Sequence, residues 1–134
     1  FTLKEEGGLN YWGEPYKQYG AVGSWGQEAD LDAAFASMKT HFVDKGYPAI
    51  LGEFGAIKRA TLTGDALTHH LESRAYYVKQ VVSTAKKYGV VPFYWDNGPS
   101  GNNAMGIFNR ATGAVSDQQI LNGLVEGSEV NYPF

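Results

Sequence analysis

The apolar positions of this chain change period along its length, from helical to extended, and then the change repeats. Leu31, Phe35, Met38 and Phe42 recur at helical intervals. Ser24 and Gln27 ahead of them have the spacing of a capping box, which predicts a helix opening near Ser24. Gly46 supplies its stop, with Pro48 just beyond. The short run Ala49-Ile50-Leu51-Gly52-Glu53-Phe54, set between turn signals, predicts a strand buried on both faces. A polar connection over 56–68 leads to a second helical stripe, Leu71, Ala75, Val78, Val82 and Ala85. That helix is predicted from about His69 to Lys87, with Gly89 as its stop. Val90-Val91-Pro92-Phe93-Tyr94-Trp95 predicts a second buried strand, its proline near the start where a missing N–H is tolerated. A Gly/Asn/Pro/Ser-rich loop covers 96–106, and Ser116 is the expected cap of a third helix through Ile120, Leu121 and Leu124 to Gly127.

Strands alternating with amphipathic helices imply an α/β fold with a parallel sheet and right-handed crossovers. Ahead of the first helix, residues 1–26 read as a long loop rich in glycine and aromatics, of the kind that is functional or linker-like in compact domains. Two strands cannot cover both helix layers, and a closed eight-unit barrel takes about 250 residues. At 134 residues, the order therefore reads as one region, 1–134, matching the last third or so of a barrel. The first residue is Phe1, and no segment with a basic start and an apolar centre precedes it, so further chain upstream is expected.

Composition narrows the function classes. The net charge is −3 with scattered basic residues, which gives no footprint for nucleic acid or an anionic membrane. Uninterrupted apolar stretches fall far short of a membrane span. The absence of cysteine excludes disulfides and thiolate chemistry. Aromatic residues reach 14%, which suits either core packing or the stacking platforms of a sugar cleft.

Glu53 is the candidate chemical group. It sits near the C-terminal end of a predicted buried parallel strand, where an unpaired charge would be expensive to bury. Two readings are open from the residues alone: a strand-end salt bridge or cap, or a catalytic carboxylate projecting into a cleft, as strand ends do in (β/α)8 enzymes.

The segment Tyr47-Pro48-Ala49-Ile50-Leu51-Gly52-Glu53-Phe54-Gly55 resembles the seventh-strand nucleophile segment of glycoside hydrolase family 5. One helix later, Pro92-Phe93-Tyr94-Trp95-Asp96-Asn97-Gly98 is similar to that family's eighth strand, whose tryptophan stacks on the sugar at the cleavage site. Phe1-Thr2 and the loop through Ser24-Trp25-Gly26 resemble the segment after its sixth strand, especially in endoglucanases of the Bacteroidetes type. The resemblance implies the C-terminal portion of a (β/α)8 TIM barrel, strands 7 and 8 with their flanking helices. It makes Glu53 the nucleophile and Trp95 the sugar platform, with Asn97 and Trp25 as further substrate contacts. For Trp12 and Trp25, ordinary loop packing is the competing reading.

The chain also departs from the family. Nothing matches the Asn-Glu-Pro motif that carries the family's acid/base glutamate. Gly13-Glu14-Pro15 imitates it but lies after the sixth strand, so Glu14 reads as a surface residue. His41, His69 and His70 read as solvated helix positions.

The implied activity is that of a retaining endo-β-1,4-glucanase acting by double displacement. Glu53 would attack the anomeric carbon as a carboxylate, and a partner acid outside this chain would protonate the leaving oxygen. The isolated chain is expected to be inactive, and the resemblance implies no cofactor and no metal. The expected partners are a β-glucan polysaccharide or oligosaccharide, plus the N-terminal remainder of the barrel or a second copy of the chain. A secreted, cell-surface or periplasmic bacterial location is expected from the same resemblance. The rival readings are a mannanase, a xyloglucanase or mixed-linkage glucanase of the same fold, or a non-catalytic carbohydrate-binding fragment.

Overall fold

The computed structural model describes residues 8–134, so Phe1 and Thr2 of the resemblance lie outside the described residues. The opening segment is not featureless: a 3-10 turn spans Glu14–Tyr19, with Pro15 in its first turn. Then come α1 (Glu28–His41), a short 3-10 turn (Val43–Lys45), β1 (Ala49–Phe54), α2 (Gly64–Lys87), β2 (Val90–Tyr94) and α3 (Gln118–Ser128). The two strands pair in parallel, Ala49 opposite Val90 and Leu51 opposite Pro92. The helix–strand order read from periodicity is therefore the observed one.

All three helix starts differ from the expected residues. Helix α1 is capped by Gln27 rather than Ser24, in a reciprocal capping box with Asp30. Gly26 at φ 73 lies in the left-handed region and breaks the chain just before Gln27, and the Asp30 carboxylate accepts the Gly26 N–H at 2.7 Å. Helix α2 begins at Gly64, ahead of His69, because Thr63 is extended and Asp65 brings a negative charge to the first turn. Half-buried Leu67, four residues before Leu71, carries the apolar stripe into that first turn. Helix α3 is capped by Asp117, not Ser116: the Asp117 carboxylate accepts from the Ile120 N–H at 3.2 Å.

The core lies between one face of the sheet and the helices. Val78, Val81, Val82 and Ala85 of α2, Ile120 of α3 and Phe35 of α1 are buried there against Ala49 and Val90. Phe42, expected on the α1 stripe, falls beyond the helix and is 46% exposed. Close approach of α2 and α3 depends on two glycines. A Cβ at Gly123 would stand 2.6 Å from the Ala75 carbonyl, and one at Gly127 would meet Val82 at 2.9 Å. The α2 face is also more polar than its stripe implied, because Ser73, Arg74 and His70 are buried while Leu71 and Ala75 are half-buried. The connection after β1 starts inside as well, with Ala56, Ile57 and Arg59 buried.

The expectation of strands buried on both faces is corrected. Ile50 is 61% and Phe93 53% exposed, with Val91 beside them on the same open face. A sheet face is covered only by a second layer, and no element among the described residues supplies one here.

Candidate active site

The ladder between β1 and β2 is regular through Leu51–Pro92 and resumes at Phe54–Tyr94. Gly52 and Glu53 together therefore oppose the single residue Phe93, which is a bulge. A bulge changes the phase of a strand, so Glu53 does not follow Leu51 into the helix layer but is exposed at the strand's C-terminal end. Among the described residues, no side chain pairs with its carboxylate. Phe54, one residue on, returns to the core and meets Tyr94 edge to face at 5.6 Å.

Glu53 and Trp95, with Phe54, Gly55, Tyr77 and Met105, line one end of an open cavity of about 680 Å³ that runs on between α1 and β1 past Leu31, Phe35 and Met38. Glu53 is the only carboxylate in its described lining. Trp95 is half exposed, as a stacking face must be before a ligand covers it. Trp25 is 81% exposed and borders a second cavity that shares Gly55 and Tyr77 with the first. Trp12 borders that second cavity too but is buried. Its indole N–H donates to the Gly26 carbonyl at 2.6 Å and its backbone N–H to Ser73 at 2.7 Å, so packing is its role. Asn97 is exposed in the loop after β2, and its Oδ1 accepts the Met105 N–H at 2.9 Å. Glu14 is on the surface, paired with Lys17.

The histidines divide. His41 is exposed, and His69 is half-buried under the stacked ring of Tyr19, with centroids 3.6 Å apart. His70 corrects the solvated reading: it is fully buried, its Nδ1 facing the Asn10 carbonyl at 2.6 Å while Nε2 accepts the Arg59 N–H at 2.9 Å. Burial of so polar a ring is tolerable because both nitrogens are bonded.

The surroundings of the cavity are predominantly apolar. Burial pushes the Tyr94 hydroxyl up to about 12, and burial also raises Tyr77. Next to Trp95, burial works against the charge of Asp96, but the N–H groups of Ile107, Gly98 and Phe108, with Arg110, outweigh it. They hold the acid below the usual carboxylate range. Sequence reading missed Tyr77 and Met105 as lining residues. Neither carries a motif, and each arrives from an element whose packing only the fold reveals. Among the described residues no cluster of His, Cys, Asp and Glu could hold a metal ion, and no helix is long and apolar enough to cross a membrane.

Comparison with known proteins gives the family. A family model described as Cellulase (glycosyl hydrolase family 5) matches residues 11–101. Endoglucanase A of Paenibacillus barcinonensis is 39% identical over 129 residues, 96% of this chain and 31% of that protein. The xyloglucan-specific endo-beta-1,4-glucanase of Bacteroides ovatus is 38% identical over 130 residues, 92% of this chain and 25% of its own length. Among solved structures, a family 5 xyloglucanase from Paenibacillus pabuli superposes with a TM-score of 0.85 at 38% identity, over 96% of this chain and 34% of that one. The chain thus spans about a quarter to a third of the length of these relatives. Members of the family are (β/α)8 barrels, and the helices and two-stranded parallel sheet seen here are consistent with a piece of such a barrel. With its family match covering both strands and the helix between them, the chain belongs to glycoside hydrolase family 5.

Proposed function

We propose that the protein carrying this chain is a retaining endo-β-1,4-glucanase in which Glu53 is the nucleophile. The observation that carries the reading is the bulge at Gly52-Glu53. It turns a carboxylate that no described side chain pairs with out at the end of a parallel strand, into a cavity that it shares with a half-exposed tryptophan. Glu53 attacks the anomeric carbon while a carboxylic acid from outside this chain protonates the leaving oxygen. Water then displaces the glycosyl group from Glu53, and two inversions give net retention. Such a pair of carboxyl groups stands about 5–5.5 Å apart. Trp95 stacks on the sugar being cleaved. Trp25 and the amide of Asn97 contact neighbouring sugar units.

In this reading β1 and β2 are strands 7 and 8, and residues 1–134 are the C-terminal part of the catalytic domain. The rest of the barrel then covers the open face carrying Ile50, Val91 and Phe93 and the apolar gap between α1 and β1, which is lined by Leu31, Phe35 and Met38. A polymer cannot cross the inner membrane, so the enzyme acts outside the cytoplasm.

The test is covalent trapping of the full-length enzyme with a 2-deoxy-2-fluoro cellobioside bearing a dinitrophenolate leaving group. A stable label on the peptide containing Glu53 is the expected result. A label on another carboxylate, or turnover with inversion, overturns the assignment. Xyloglucan is a second substrate reading, favoured by relatives whose names specify it. Its backbone is the same β-1,4-glucan, so the chemistry at Glu53 is unchanged. Relative rates on xyloglucan and on carboxymethyl cellulose separate the two.

A further inference from the structure

Asp96 follows Trp95 directly, and its carboxylate is the point on which the whole loop after β2 closes. Oδ1 accepts the Gly98 N–H at 2.7 Å. Oδ2 accepts the N–H of Ile107 at 2.9 Å and that of Phe108 at 3.4 Å. Arg110 donates to the Asp96 backbone carbonyl at 2.9 Å and reaches Oδ1 at 3.4 Å. Every one of these partners is a donor, and a carboxylate is the side chain that only accepts. The flanking residues bind the same loop: the Tyr94 hydroxyl donates to the Met105 carbonyl at 2.8 Å, and Asn97 accepts from the Met105 N–H.

Of residues 94–97, Trp95 is thus the one that lines the Glu53 cavity, while its three neighbours hold the loop. Its own N–H donates to the Phe54 carbonyl, and Arg110 holds the next carbonyl but one, that of Asp96. Met105, pinned by Tyr94 and Asn97, lies so close to Gly55 that a Cβ there would stand 2.6 Å from its sulfur.

We propose that Asp96 is a positioning residue for the glucanase reaction, holding the Trp95 ring in register with Glu53 through the loop 97–110. The inference rests on the reading of Glu53 and Trp95 given above. It separates from a merely structural role, because a loop staple would matter equally whether or not the tryptophan is there. In an amide at this position, the NH2 would oppose either the Gly98 N–H or the Ile107 and Phe108 N–H groups, freeing one side of the loop.

The experiment is a double-mutant cycle in the full-length enzyme, reading kcat/KM on cellopentaose for wild type, Asp96→Asn, Trp95→Ala and the pair. Asp96→Asn is expected to lower kcat/KM roughly tenfold in wild type, mostly through KM, and less than about twofold once Trp95 is Ala. The same tenfold loss in both backgrounds, or no loss in wild type, overturns the proposal while leaving the platform reading intact. Trp95→Ala without any loss overturns both. If Asp96→Asn does not fold, Arg110→Gln replaces it in the cycle, since that side chain is 68% exposed and braces Asp96 from outside. A smaller loss that again vanishes with Trp95→Ala supports the proposal, and one that persists overturns it.

Discussion

The backbone N–H of Trp95 donates to the carbonyl of Phe54 at 2.9 Å, so the tryptophan proposed as the sugar platform and the strand end beside Glu53 are joined by one ladder bond. A parallel pair holds such a relationship rigidly, because its bonds are evenly spaced and both strands run into the same edge of the sheet. The two chemical groups come from segments separated by the whole of α2, yet their relative placement is set by backbone geometry.

Replacing Glu53 by Gln keeps the shape of the side chain and removes its ability to form a glycosyl ester. In the full-length enzyme kcat should fall by on the order of 10⁴ or more. Folding should be nearly unaffected, since Glu53 is exposed and no described side chain pairs with it. Steady-state rates on a soluble cellulose derivative, with thermal unfolding as the control, check this. Undiminished turnover would place the nucleophile elsewhere.

The tryptophans should differ in degree. Trp95→Ala removes a stacking face beside the reacting carboxylate and should raise KM by roughly 30-fold, about 2 kcal/mol. Trp25 borders the adjoining cavity at 81% exposure, so its removal should raise KM only a few-fold, and only for substrates long enough to reach it. Kinetics on a length series of cello-oligosaccharides separate the two. Equal effects on the shortest substrate would contradict the assignment.

The order of elements and the two strand motifs were legible in the sequence because period and motif are local. Ala49–Phe54 matched the strand residue for residue, and Glu53 and Trp95 do line one cavity. What local pattern could not show was the bulge at Gly52-Glu53, which exists only through the partner strand. Nor could it show the polar interior. Arg74, Ser73 and His70 look like solvent positions to a periodicity argument, but partners distant in the sequence make their burial tolerable. The helix caps were misplaced for a related reason. Several cap-competent residues stood within a few positions of each other, and the choice among them fell to backbone geometry at Gly26 and to the Arg74 contact at Asp117.

That contact makes a strong stability prediction. Arg74 Nη1 lies 2.9 Å from Asp117 Oδ2, with the two side chains only 1% and 9% exposed, and Arg74 Nε also holds the Ala56 carbonyl at 3.0 Å. Asp117→Ala leaves a buried guanidinium unpaired and strips α3 of its cap. The loss should be about 3–5 kcal/mol. Removing both partners, as Arg74→Met with Asp117→Ser, should be much less harmful than the sum of the single losses, because Ser retains capping ability and no charge is stranded. Urea unfolding of the full-length enzyme and its variants measures this, and strict additivity would show the pair to be uncoupled.

His70 predicts the pH dependence of stability. Desolvation lowers its pKa below the ordinary 6.5, and the positive charges of Arg74 and Arg59 add to that, against the raising effect of its carbonyl contacts. Its geometry agrees, since an Nε2 that accepts the Arg59 N–H has no room for a proton. The native state therefore binds this proton less readily than the unfolded chain. Well above pH 6.5 neither state is protonated at His70, and its contribution to stability is complete. As the pH falls below 6.5 the unfolded chain takes up the proton first, and stability declines by up to about 1.4 kcal/mol per pH unit until the native histidine titrates too. Replacing His70 by Gln keeps hydrogen-bonding groups but nothing that titrates near neutrality. The variant should be less stable at pH 7.5 yet lose less between pH 6.5 and 5 than the wild type does. Unfolding midpoints of the full-length enzyme at several pH values decide the matter: parallel curves for the two proteins would mean that His70 does not report the pH, and that other groups set the acid limb.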